Sequence, residues 1–117
     1  MKSLMIHLLC VFSDLFNSDP DLKAAKTISA KVLDSYPELE GRGVGKEEDW
    51  IYVQFQTKKE VDVQTAKKLT ESVVFFISNL SSETKKTVKG CLIYKDANNG
   101  DFYQIPLDPK GIEAVKL

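Results

Sequence analysis

The chain has 117 residues, of which 43% are hydrophobic and 28% charged, and its net charge is −1. That length suits a single domain, 1–117, burying roughly 65% of its extended-chain surface, and the apolar content excludes a disordered chain. The near-neutral balance gives no overall attraction to nucleic acid or to an anionic membrane.

The first segment is an apolar run, Leu4 to Phe12, behind Met1-Lys2-Ser3. It is predicted as a helix over residues 3–16. Such a helix would be apolar on every side and would have to be buried. A domain this small would leave part of it for a partner. Leu4, Met5, Leu8, Leu9 and Phe12 are therefore the candidate interface, for self-association or for a protein partner. The bland alternative is a central core helix. A third reading is a short signal or anchor, since a basic start precedes the apolar run. Against it stand His7 within the run and the lack of a small-x-small cleavage site. The run is also too short to span a bilayer. The expected location is cytoplasmic, with export only if residues 1–12 act as a targeting segment. Membrane contact is expected only through residues 1–16.

Ser18 is a suitable N-cap, with Pro20 in the first turn, and it opens a helix that Pro37 stops. Leu22, Ala25, Ile28, Val32, Leu33 and Tyr36 form its apolar stripe. Residues 38–49 read as a polar, Gly-rich loop. Residues 50–56 read as a half-buried strand, with Ile51, Val53 and Phe55 on one face and Tyr52, Gln54 and Gln56 on the other. Asp62 is a candidate N-cap for a second amphipathic helix that runs to Leu80, with Val61 available to staple onto Ala66. A polar stretch, Ser81 to Lys89, leads to the next strand. Asn99-Gly100 is the dipeptide a two-residue type I′ hairpin demands. That turn would set Leu92 opposite Leu107, Tyr94 opposite Ile105, Asp96 opposite Tyr103 and Lys95 opposite Gln104. A one-residue slip would mix apolar and polar faces. A turn of helix could follow Asp108-Pro109.

The expected fold is α+β, a two-layer sandwich in the order α-α-β-α-β-β. Its helices would pack on one face of a small mixed three-stranded sheet. The strands at 50–56 and 90–97 would form a right-handed βαβ unit, with the hairpin adding an antiparallel strand.

No motif carries convincing chemistry. The two cysteines, Cys10 and Cys91, form no CxxC pair, so half-buried thiols are expected; a disulfide between them would need an oxidising compartment. His7, Cys10 and Cys91 offer soft zinc ligands, but in no usual metal spacing. His7 is the one histidine, and it has no carboxylate near enough to orient it for Ser-His or Cys-His chemistry. Gly41-Arg42-Gly43-Val44-Gly45-Lys46 lacks the spacing, the hydroxyl residue and the strand-to-helix setting of a P-loop. Asp96 to Asp101 has glycine fifth rather than sixth, so it is no EF-hand loop. Glu47-Glu48-Asp49 reads as solvated acids. Lys58, Lys59, Lys67, Lys68, Lys85, Lys86 and Lys89, with Trp50 and Tyr52, could contact nucleic acid, but a solvated face explains them as well. Asn79-Leu80-Ser81 fits a glycosylation sequon, a triplet common by chance.

These readings point to a non-catalytic interaction protein: an inhibitor, an immunity-type protein or an assembly subunit. No catalytic residue, cofactor or metal is expected. The alternatives are an exported or anchored small protein, and an enzyme with an unrecognised site. An enzyme would need Tyr52, Asp96 and Tyr103 to converge in a pocket.

Overall fold

The computed structural model describes residues 20–46, 50–84, 87–108 and 110–117. Helix α1 spans Pro20–Ser35, strand β1 Leu39–Lys46 and strand β2 Trp50–Thr57. Helix α2 spans Val63–Thr84, and strands β3, β4 and β5 span Thr87–Lys95, Phe102–Pro106 and Val115–Lys116. The described order is α-β-β-α-β-β-β. The five strands form one mixed sheet in spatial order β1-β2-β3-β4-β5. Among them β2 and β3 pair in parallel, and the other neighbours are antiparallel. The expected α+β character holds. The expected order and the three-stranded sheet do not. The expected helix at 3–16 and the Ser18 cap lie outside the described residues.

Strand β1 falls where the sequence reads as a loop. Gly41, Gly43 and Gly45 lower its intrinsic β preference. Two tertiary contacts override that preference. β2 supplies a ladder from Leu39↔Thr57 to Lys46↔Ile51, interrupted once by a bulge at Arg42. On the helix side, a Cβ at Gly41 would lie 3.3 Å from Leu33 Cδ1, so the bare glycine lets α1 lie close over the strand. Strand β5 is equally unannounced. Two residues are too few to show alternation, and the described residues from Lys110 to Ala114 are not helical, the Gly111 N–H bonding the Asp108 carbonyl at 3.2 Å.

Both helices contribute to the same core as the inward row of the sheet. Ala25, Ile28 and Val32 of α1 meet Ile51, Val53 and Phe55 of β2 there. Ala66, Val73 and Ile77 of α2 meet Leu92, Tyr94 and Ile105. Each fully buried Val, Ile, Leu or Phe side chain of this set contributes roughly 1.5–3 kcal/mol. Thr70 is buried on the inner face of α2, and its hydroxyl donates to the Ala66 carbonyl at 2.7 Å. Tyr36, just past α1, meets Phe76 of α2 edge-to-face at 5.9 Å and donates its hydroxyl to the Ser72 carbonyl at 3.2 Å. α2 runs to Thr84, so β3 begins at Thr87, before the expected start near Gly90.

The hairpin differs from the two-residue turn. Leu92 pairs with Ile105, Tyr94 with Tyr103 and Lys95 with Phe102. The shift is two residues, so both faces keep their members while every pair changes. The turn lengthens because side chains take its amides. Asp96 Oδ1 accepts from the Asn98 N–H at 3.3 Å, and Asn99 Oδ1 from the Asp101 N–H at 2.8 Å. Gly100, at φ 75, supplies the left-handed residue. Tyr94 stacks on Tyr103 with centroids 5.5 Å apart.

Gly90 sits opposite Val53 in the parallel ladder, and a Cβ there would lie 1.7 Å from the Val53 carbonyl oxygen. Neither strand can retreat without breaking its other ladder. Gly90→Ala should therefore cost about 3 kcal/mol or more in urea unfolding. An alanine variant as stable as the wild type would contradict this register. At the start of α2, Asp62 Oδ1 accepts the Thr65 N–H at 2.7 Å, which holds the Asp62 carboxyl below its ordinary value of 3.8. The cap's stabilisation is present above that value and fades as pH falls through the lower folded one. The Tm gap between wild type and Asp62→Ala should be full near neutral pH and should narrow in acid. A gap that is constant or widens in acid would refute the cap.

Candidate functional site: the outer face of the sheet

The outward row is set by the same alternation that fills the core. On β2 it holds Trp50, Tyr52, Gln54 and Gln56, each partly exposed. The register adds Lys89, Cys91, Ile93 and Lys95 from β3, then Phe102, Gln104 and Pro106 from β4. Val115 lies opposite Gln104, and Leu117 donates its N–H to the Phe102 carbonyl at 3.0 Å, which puts Leu117 on this face too. Among the described residues, the large hydrophobic side chains that stay exposed are Phe75 at 72%, Phe102 at 44%, Val115 at 54% and Leu117 at 62%. All of these except Phe75 lie on the outer face, which no described helix covers. The centre of the face is apolar or amide, and the charges sit around it. Lys89 Nζ lies over the Trp50 ring at 5.0 Å, and Arg42 on the edge strand donates to Gln56 Oε1.

Cys91 is the polar hub of this face. It is buried, accepts from Gln54 Nε2 at 3.3 Å, and shares a hydrogen bond with the Tyr52 hydroxyl at 3.5 Å. That bond, then burial, then the charge Cys91 can carry push the Tyr52 phenol up to about 12. Tyr52 therefore stays neutral and acts as a hydrogen-bonding aromatic, with no activated oxygen.

The other residues singled out in the sequence do not assemble. Leu4, Met5, Leu8, Leu9 and Phe12 lie outside the described residues, as do His7, Cys10 and Glu47-Glu48-Asp49. Among the described residues, no three His, Cys, Asp or Glu side chains gather for a metal. The glycine-rich Gly41–Lys46 segment is edge strand, with no helix following it. Asp96 is buried on the helix side and serves its own turn; Tyr103 is on that side too, while Tyr52 points the opposite way. The three never converge. Burial, first, and then the charges of Asp96 and Tyr103 raise the Tyr94 phenol on that side. Of the lysines set beside Trp50 and Tyr52, Lys89 reaches the aromatics, whereas Lys58, Lys59 and Lys68 surround a cleft at the end of β2. No described helix is long and apolar enough to cross a membrane.

The outward row is half visible in the sequence. The alternation of β2 places Gln54 and Gln56 on the face opposite Phe55, as the structure has them. Nothing local assigns Phe102, Val115 and Leu117 to that face. The available signal is Cys91-Leu92-Ile93-Tyr94, a run apolar on both parities, which marks a strand covered on both faces.

Cys91→Ala removes both the hydrogen bond and the neighbouring charge from Tyr52. In an absorbance titration, one of the 4 tyrosines should then ionise closer to the ordinary 10.0 than it does in the wild type. An unchanged titration would show that burial alone holds the phenol up. The chain matches no family model, no curated protein and no solved structure.

Proposed function

We propose that this chain is a non-catalytic assembly subunit that pairs with a second copy of itself through the outer face of the sheet, the face that no described helix covers. The observation that carries the reading is the collection of Phe102, Val115 and Leu117 on one face, beside Ile93 and the Trp50–Tyr52 pair. An apolar area flanked by aromatic and charged residues has the anatomy of an interface core and rim. A second copy is favoured by the charge layout. A two-fold contact sets the residues at its axis against their own symmetry mates, so like charges at its centre would repel. Here the partly exposed Gln54 and Gln104 lie at the centre beside Cys91 and Ile93, which are already buried within the chain, and amides can both donate to and accept from their mates. Lys89, Lys95 and Arg42 lie at the margins.

Phe102 and Val115 are exposed, so lysine can replace both without opening the core. Sedimentation equilibrium of the wild type at high micromolar concentration should give about twice the 13.2 kDa chain mass. The Phe102→Lys/Val115→Lys variant should give the chain mass with unchanged circular dichroism. A monomeric wild type, or a double variant that still pairs, would overturn the proposal.

A further inference from the structure

The cleft at the far end of β2 lies on the helix side, away from the face assigned to self-association. It has a volume of about 870 Å³ and opens between the end of α1, the β2–α2 turn and the first turns of α2. That size lies within the range of small-molecule sites, roughly 300–1,000 Å³. One part of its wall is apolar, built from Tyr36, Pro37, Val61 and Leu69. The rest is polar and cationic, with Lys58 and Lys59 on the turn and Lys68 and Thr65 on α2. Two carboxylates share the lining, Glu38 and Glu60, but Glu60 is drawn to Lys95 at 3.3 Å. The balance is positive.

Thr57 makes this cleft more than a surface dent. It lines the cleft as the last inward-facing residue of β2 and is only 6% exposed. Its Oγ1 is shielded from solvent and has no hydrogen-bond partner among the described residues. Thr70, also buried, satisfies its hydroxyl on its own helix, so the orphan at Thr57 is specific to this place. A buried hydroxyl without a partner is destabilising, and natural proteins keep few of them. An acceptor brought by a ligand would satisfy it.

We infer that this cleft binds an apolar carboxylic acid. The Thr57 hydroxyl makes no hydrogen bond among the described residues, so a rotation about Cα–Cβ that turns it from its shielded position into the cleft breaks none. The ligand's carboxylate would then accept from that hydroxyl and face Lys58, Lys59 and Lys68, while its hydrocarbon body would lie on Tyr36, Pro37 and Leu69. A neutral alcohol of the same length lacks the charge. An alkylammonium ion meets the wrong sign.

Decanoate, 1-decanol and decylammonium are the probes, titrated into the full chain and followed by amide chemical shifts. Decanoate should give saturable shifts concentrated at Lys58, Thr65, Lys68 and Leu69, and bind roughly tenfold or more tightly than either analogue. Thr57→Val keeps the shape and removes the hydroxyl. It should weaken decanoate roughly tenfold while the free protein keeps or gains thermal stability, because an unsatisfied group has gone. Lys58→Gln/Lys68→Gln should weaken decanoate and leave decanol unchanged. Absence of saturable shifts at the cleft, equal binding of decylammonium, or Thr57→Val binding decanoate like the wild type would each overturn the inference. A free Thr57→Val protein that melts earlier would overturn its premise, by showing that the hydroxyl already had a partner.

Discussion

The parallel pairing of β2 with β3 is the constraint from which the other elements follow. Two parallel neighbours cannot be joined by a tight turn, so the chain must cross over, and α2 is that crossover. The pairing is tight enough that Gly90 leaves no room for a side chain against the Val53 carbonyl. It fixes Phe55 beside Leu92 and Gln54 beside Cys91, and so fixes which parity of each strand points where. β1 and β4 then add antiparallel on either side, and β5 adds beyond β4. The turn before α2 is tied back to the same strand, since the Val61 N–H donates to the Lys95 carbonyl at 3.1 Å and the Ala97 N–H to the Val61 carbonyl at 3.0 Å.

With the register fixed, β2 addresses two surfaces at once. Its inward row runs from Ile51 through Val53 and Phe55 to Thr57, where the helices no longer close over the sheet and a cleft remains. Its outward row begins with Trp50 and Tyr52, where no described helix lies. The inward row ends on an unsatisfied hydroxyl among lysines, and the outward row belongs to an apolar and amide surface with charge at its margins. The first suits a small anion with an apolar body. The second suits a flat, self-complementary partner.

Periodicity makes the strong elements legible. The stripe of Ala25, Ile28 and Val32, the alternation of Ile51, Val53 and Phe55, and the Asp62 cap all rest on local spacing, and the structure places each of them so. What escapes depends on contacts remote in sequence. β1 is a strand because β2 offers a ladder and the bare Gly41 lets Leu33 of α1 lie close over it; nothing between Leu39 and Lys46 announces that. The hairpin keeps its faces but not its expected pairs, because Asp96 and Asn99 compete for turn amides that a two-residue turn would have left to the backbone. Both surfaces are hidden for the same reason. Thr57 reads locally as the start of a turn, and Phe102, Val115 and Leu117 join one face only once the β3–β4–β5 register is known.

Self-association requires that the outward face be held in one register and covered by its own copy. Soluble paramagnetic probes report that cover residue by residue. Relaxation of the Trp50 indole and Val115 methyl signals should be strong in dilute protein and should fall as concentration rises, while the exposed Phe75 ring on α2 stays equally accessible throughout. Attenuation at Trp50 and Val115 that does not change with concentration, or protection that develops at Phe75 instead, would contradict pairing through this face.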